Sequence, residues 1–207
     1  MRSGWLVGAV AVVVLAYITF NTLRTEGVST RGPAAGEQLP PFAAPLASSG
    51  ADADANLATR AGEGAAGARP ACEVRGPEIL NVCQLEERGP VVLAFMATAS
   101  DRCESQVDAL DRAAAEFPGV QFAAVSVRGD RADLRAVVRE RGWRIPVGHD
   151  RDGAVAARYG VVVCPLVVFA KRGGEVVGSS LELLDDAALR ADVRALEAGR
   201  PLPGSGP

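Results

Sequence analysis

Residues 90–97, PVVLAFMA, are an unbroken apolar run of strand length, the pattern of a central strand buried on both faces. Directly afterwards the period changes. Cys103, Val107, Leu110, Ala114 and Phe117 follow at steps of four, three, four and three, one apolar stripe of a helix over about 101–117. Ser100 stands at the N-cap position, and Phe117-Pro118-Gly119 closes the helix. VQFAAVSV, 120–127, predicts the next strand. A second helix is expected over 130–143, with Leu134, Val137 and Val138 facing inward and Gly142 near its end. A short strand at 145–150 and a short helix at 152–160, closed by Gly160, come next. The runs LVVFAK, 166–171, and EVVGSS, 175–180, flank Arg172-Gly173-Gly174 and predict a hairpin. The last helix, 185–199, carries the stripe Leu189, Val193 and Leu196 between an Asp cap and Gly199. Residues 200–207 read as a tail.

The resulting order, β-α-β-α-β-α-β-β-α, places parallel strands joined by helical crossovers first and an antiparallel hairpin last. The fold class is α/β, a central mixed sheet flanked by helices, over residues 71–199.

The amino-terminal third reads differently. Residues 5–23, WLVGAVAVVVLAYITFNTL, carry no charge. As a helix they reach about 28 Å, close to the ~30 Å hydrocarbon core of a bilayer. Trp5 sits where an interfacial anchor belongs. No A-x-A site follows, so the pattern predicts an uncleaved single-pass anchor rather than a signal peptide, with residues 1–4 as a short leading segment. Arg2 on one side and Arg24 and Arg31 on the other leave the charge rule undecided. Residues 24–70 read as a linker. Pro-Pro and alternating apolar residues mark a possible edge strand at 37–46, and 47–70 are an Ala-, Gly-, Ser- and Asp-rich stretch of low order.

Composition narrows the function classes. The chain of 207 residues is 48% hydrophobic and 23% charged, with net charge −3 and no basic cluster. That suits a globular core and gives no footprint for nucleic acid. All four cysteines lie beyond the apolar segment. An even number of cysteines suits an oxidising compartment, so the main domain is expected outside the cytoplasm at the cell membrane. Cys72 and Cys83 bracket a Gly76-Pro77 turn between short extended pieces, where a local structural disulfide is expected. Four cysteines still allow three pairings, among which spacing does not choose. With no C-x-x-C pair and a single histidine, no metal site is expected, and no cofactor is indicated. His149 is read as a solvated loop residue, and Asp150 and Asp152 as turn residues.

Several segments together resemble a known family. VVLAFMAT resembles the strand before the active site of thioredoxin-like proteins. IPVGHDRDGAVAARYGVVVCPLVVFAKRGGEVV is similar to that family's run of an Asp-x-x-Gly turn, a Tyr-Gly-Val, a proline, an apolar strand and a hairpin. The nearer resemblance is to membrane-anchored thiol–disulfide oxidoreductases, the TlpA/ResA-like proteins of the redoxin/AhpC-TSA superfamily. It covers roughly residues 71–198 and implies a thioredoxin-like fold with Pro165 cis beside the active site. The family's Trp-Cys-x-x-Cys falls on Ala99, Ser100, Asp101, Arg102 and Cys103, so the usual attacking thiol is a serine. A buried acid found in some relatives falls on Ala94. A hydroxyl cannot replace a thiol in exchange, because sulfur must leave and return.

The resemblance also implies that Cys164, directly before Pro165, comes to the helix start that bears Cys103. On that basis Cys103 and Cys164 form a relocated redox pair, Cys164 as the accessible thiol and Cys103 as the resolving one. The substrate is then a protein thiol, disulfide or peptide. Helix amides and Arg102 lower the pKa of a thiol at Cys103, and apolar burial raises it. Blander readings stand beside this one: Cys103 as a small core residue, Cys164 as filler, or the pair as a permanent staple. At the level of function, the alternatives are an inactive binding or scaffold module with this fold and, ranked below it, a peroxiredoxin-like peroxidase. The peroxidase motif lacks its proline, and Thr98 stands five residues before Cys103.

Overall fold

The computed structural model describes residues 12–15, 17, 31–51, 53–127 and 129–203. A two-stranded antiparallel ribbon comes first, β1 (Ala43–Pro45) with β2 (Ile79–Asn81), followed at once by α1 (Val82–Arg88). Then come β3 (Val91–Met96), α2 (Asp101–Glu116), β4 (Gln121–Ser126), α3 (Arg131–Arg141), β5 (Val147–His149), α4 (Ala154–Arg158), β6 (Leu166–Ala170), β7 (Val176–Ser180) and α5 (Asp186–Glu197). The main sheet has the order β5-β4-β3-β6-β7. Its β3, β4 and β5 are parallel, and β6 and β7 are antiparallel additions. The sheet is therefore mixed, as the order of elements predicts.

Strand β3 organises the core. Its residues are all buried, and their side chains alternate between two apolar layers. Val92, Ala94 and Met96 face Val107 and Leu110 of α2, Leu134 of α3, and Leu189 and Val193 of α5. Val91, Leu93 and Phe95 face Val82 and Leu85 of α1, Val155 of α4, Phe42 and Tyr159. Each large aliphatic side chain buried there contributes about 1.5–3 kcal/mol, which is why an uninterrupted apolar run was needed at this position.

The amino-terminal residues wrap the second layer. Residues 31–38 run along the outer edge of β7. Ser179 donates to the Arg31 carbonyl at one end, and Gln38 bridges Glu175 at the other. The chain then crosses beneath the sheet, burying Leu39, Phe42 and Ala44, and reaches the opposite edge where Leu46 bridges Gly148. Gly148 is tight here, since a Cβ would lie 2.9 Å from Leu80. Both sheet edges are thereby covered, which blunts their tendency to pair with other chains.

Some sequence expectations need correction. Residues 47–70 are not a loose spacer: Ala55, Leu57 and Ala58 are buried, and Asn56 bridges Ala43. Small residues suffice because they fill gaps beside Phe42 and Leu80 rather than building a core of their own. Between Cys72 and Cys83 one extended piece, β2, follows the Gly76-Pro77 turn as expected, but the piece before the turn is not extended. A 3-10 turn spans Ala71–Glu73, and Cys83 lies in the first turn of α1, which Asn81 caps by accepting from the Gln84 amide. The tail contributes Leu202 to the first core layer. His149 is not solvated: it is 3% exposed in β5, with Nε2 3.1 Å from the Gly129 carbonyl. Pairing with Ser126 of β4 draws it to the Gly129 carbonyl.

Most of the apolar segment 5–23 lies outside the described residues. Those that are described, Val12–Leu15 and Tyr17, are helical and exposed. Among the described residues, no helix is long and apolar enough to cross a membrane.

Asp150 links β5 to α4 by accepting from the amides of Val155 and Ala156. Burial pushes its carboxyl above the ordinary range, while the amide bonds pull it down and Asp152 pushes it up. The native state then holds this proton longer than the unfolded chain does. Its stabilising contribution is present below the ordinary pKa and lost as pH rises through the raised value. Asp150→Asn keeps an oxygen acceptor without the charge. Its stability relative to the parent is expected to improve as pH rises from about 4 to neutral, read by urea unfolding. A pH-independent difference would refute the assignment.

Candidate functional site: a disulfide at the mouth of a helix

The register of β3 against β6 builds the site. Phe95 lies opposite Leu166, so the end of β3 and the start of β6 coincide at one end of the sheet. The chain leaving β3 turns through Thr98 and Ala99 into α2. The chain entering β6 passes Val162, Val163 and Cys164. These two segments must therefore meet.

They meet covalently. Cys103, in the first turn of α2, and Cys164 form a disulfide with Cα atoms 5.6 Å apart, within the range a disulfide spans. The Cys164–Pro165 peptide is cis. Cys103 is 1% exposed and belongs to the first core layer; Cys164 is partly exposed at its rim. Beside it Val162 and Val163 are 64% and 53% exposed. An apolar, solvent-facing lip thus borders the more accessible sulfur.

Cys72 and Cys83 form the second disulfide, with Cα atoms 5.4 Å apart. Its sulfurs pack with the second core layer, on the other face of the sheet from Cys103 and Cys164. The sheet separates the two disulfides, so they have no direct path of exchange. Asn81 also holds the Cys72 segment by donating to the carbonyls of Ala71 and Val74.

Ser100 occupies the N-cap position of α2, but its side chain makes no capping bond. The hydroxyl instead lies 3.0 Å from Cys103 Sγ. The amides of Cys103 and Glu104 donate to the Ser100 carbonyl. The expected side-chain cap is thus replaced by a contact with sulfur.

Glu104 braces this turn. It is 6% exposed, accepts from the Ala99 amide at 3.1 Å through Oε1, and pairs with Arg141 at 2.6 Å through Oε2. Ala99 is the one non-glycine residue with positive φ, 60°, among the described residues. That conformation costs about 1–2 kcal/mol, and the Glu104 bond holds it. Arg141, at the end of α3, also binds Asp108 at 2.9 Å and is held more firmly charged, first by its bond to Glu104. Trp143 donates to Asp108 as well, tying the end of α3 to α2. Gln106, fully buried, exchanges hydrogen bonds with the backbone of Leu184 and fixes α2 to the approach of α5.

Sequence reasoning missed Glu104 and Arg141. An acidic residue four positions after Ser100, just beyond the spacing of a capping box, was the available signal.

A mixed sheet with this strand order, a cis-proline and a cystine at the mouth of α2 defines a thioredoxin-like α/β protein. The AhpC/TSA family matches residues 75–184, more than half of the chain, and the protein belongs to that family. No match was found among curated proteins. Among solved structures, a secreted Mycobacterium tuberculosis disulfide oxidoreductase homologous to Escherichia coli DsbE is 25% identical, with TM-score 0.53 over 57% of this chain and 89% of that one. The peroxidoxin BcpB of Mycobacterium tuberculosis shares the fold at 17% identity and TM-score 0.58, over 80% and 97%. A thiol:disulfide interchange protein of the thioredoxin family from Chlorobium tepidum does so at 13% identity and TM-score 0.58, over 79% and 98%.

Removing Glu104 leaves Arg141 half-paired and Ala99 unbraced. Glu104→Ala is expected to lower the unfolding free energy by about 2–3 kcal/mol in guanidinium titrations. Asp101→Ala, which removes an exposed carboxylate 3.8 Å from Arg141, should leave it unchanged. Equal effects from both variants would contradict the bracing role.

Proposed function

We propose that this protein is a thiol–disulfide oxidoreductase that exchanges through Cys103 and Cys164, in place of the paired cysteines its relatives carry in one motif. The observation that carries this reading is the asymmetry of the disulfide. One sulfur is buried in the core, and the other is partly exposed on a loop beside Val162 and Val163. A substrate thiolate reaches Cys164, and Cys103 is displaced. In the reverse direction the Cys164 thiolate attacks a substrate disulfide, and Cys103 resolves the mixed disulfide. Pro165 shapes the loop that presents Cys164. The substrate is a protein or peptide cystine or dithiol, with an extended apolar stretch fitting the valine lip.

Reversibility requires that the dithiol form stay folded. On a chain-entropy estimate, a bridge spanning 61 positions stabilises by about 4 kcal/mol and one spanning 11 by about 3 kcal/mol. Opening the longer bridge leaves both core layers, the second disulfide and the Glu104–Arg141 pair. That loss is a fraction of the total burial, so the domain can afford it.

We further propose that residues 5–23 anchor the chain in a membrane, with the domain on the extracytoplasmic side. Two disulfides suit an oxidising compartment. The exposed apolar run Val12–Leu15 favours a lipid environment. Because residues 31–38 start beside Ser179 and Leu166, the tether leaves the domain at the end of the sheet that bears the disulfide. The seven residues 24–30 extend at most about 25 Å. Such a tether keeps the disulfide near the bilayer surface, within reach of thiols on membrane proteins.

Insulin reduction in the presence of dithiothreitol tests the activity. Turnover should be clear with the parent protein and lost in Cys164→Ser. Absence of turnover in the parent would leave the scaffold reading, which the serine at position 100 favours. Peroxide consumption dependent on Cys103 would instead favour a peroxidase. For the anchor, the full chain is expected to sediment with membranes and resist carbonate extraction, and a chain starting at residue 31 to be soluble. Cleavage near residue 23 would identify a signal peptide instead.

A further inference from the structure

A thiolate at Cys103 faces a physical problem. The residue is 1% exposed, so water cannot solvate the charge that appears when the disulfide opens. Burial of that kind raises a thiol's pKa and makes its sulfur a poor leaving group. Something in the protein must replace the missing water.

Ser100 is the side chain in place to do so. Its hydroxyl is 3.0 Å from Cys103 Sγ. A sulfur in a disulfide carries no proton, so the hydroxyl is the donor. The same hydroxyl occupies an N-cap position, where it would ordinarily accept from a helix amide, yet it makes no such bond. The Cys103 and Glu104 amides are satisfied by the Ser100 carbonyl instead. The hydroxyl is thereby released from the helix and turned onto sulfur. The Ala99–Glu104–Arg141 chain of bonds holds the turn that aims it.

We propose that Ser100 is a catalytic hydrogen-bond donor that stabilises the Cys103 thiolate and so directs attack to Cys164. This inference rests on the exchange reading above and adds a role for the residue that replaces the usual nucleophile. In the step, a substrate thiolate forms a new S–S bond to Cys164 Sγ. The Cys103–Cys164 bond breaks, and its electron pair stays on Cys103 Sγ, which the Ser100 hydroxyl and the α2 amino terminus stabilise. A second thiolate of the same substrate then attacks the substrate sulfur of the mixed disulfide. The Cys164 thiolate leaves, the substrate departs as a disulfide oxidised by two electrons, and the protein is left as the dithiol. Ser100 transfers no electrons and forms no bond to substrate.

The test is a thiolate titration at 240 nm on the full chain carrying Cys164→Ala, with Cys72–Cys83 kept oxidised, so that Cys103 is the single free thiol. Adding Ser100→Ala should move the Cys103 titration upward by about one pH unit. Ser100→Thr, which keeps the hydroxyl, should restore it. In the chain with all four cysteines, Ser100→Ala should slow dithiothreitol opening of Cys103–Cys164 severalfold. Should Ser100→Ala fail to fold, Ser100→Gly serves the same comparison. A loss of packing alone would not shift the titration and recover with threonine. An unmoved titration in the folded variant overturns the inference even if the parent turns over insulin. A shifted titration in a protein without turnover leaves the Ser100 contact standing and removes the exchange reading.

Discussion

The antiparallel pairing of β3 with β6, with Phe95 opposite Leu166, is the constraint on which the site rests. It brings the carboxyl end of one buried strand to the amino end of another. The turn into α2 and the loop before Pro165 then have no choice but to touch. Every position of β3 and β6 is filled by an apolar side chain in one of the two core layers. A slip of one residue would turn each of these side chains to the other layer. The juxtaposition of two sulfurs sixty-one positions apart is therefore set by core packing, and the bond between them is a consequence rather than a cause of the fold.

That order of causes bears on how the bridge can act. A disulfide that carried the fold could not be opened without unfolding the protein. Here α2 is held independently: by its stripe of Val107 and Leu110 in the core, by Gln106 on Leu184, and by Asp108 and Glu104 on Arg141 and Trp143. These contacts hold α2 without drawing on the bridge. Mobility, where it is needed, falls to the 161–164 loop, whose valines are exposed and whose cysteine sits at the rim of the core. In the proposed exchange, the buried sulfur of Cys103 would take the resolving role and the more exposed sulfur of Cys164 the attacking one.

Much of this was legible in the chain. The run 90–97 could be nothing but a buried strand, and the stripe from Cys103 to Phe117 fixed both the helix and the inward face of its cysteine. Gly-Gly after Arg172 gave the hairpin. What could not be read depended on partners distant in sequence. Ala55 and Leu57 are ordinary residues in an unremarkable stretch, and their burial follows from the face of the sheet that α1 and α4 leave uncovered. His149 looked solvated because its neighbours are turn residues; the pairing with Ser126 that buries it is a matter of register. Ser100 looked like a cap because local rules make it one, and only the position of a sulfur three residues on diverts its hydroxyl. The site residues that local pattern failed to give, Glu104 and Arg141, belong to an ion pair between two helices.

If position 100 answers to the first cysteine of the Cys-x-x-Cys motif, a hydroxyl there need not be a simple loss. In that motif the first sulfur both attacks and partners the second. Here Cys103 takes its partner from another loop, and in the proposed exchange position 100 would still face a buried atom that accepts negative charge. An alanine there would leave that charge to the helix amides alone, and a carboxylate would repel it. A small uncharged donor is the side chain that favours the thiolate without adding a competing nucleophile for the cystine. The geometry at Ser100, a hydroxyl that forgoes its cap to meet sulfur, is what such a requirement would select.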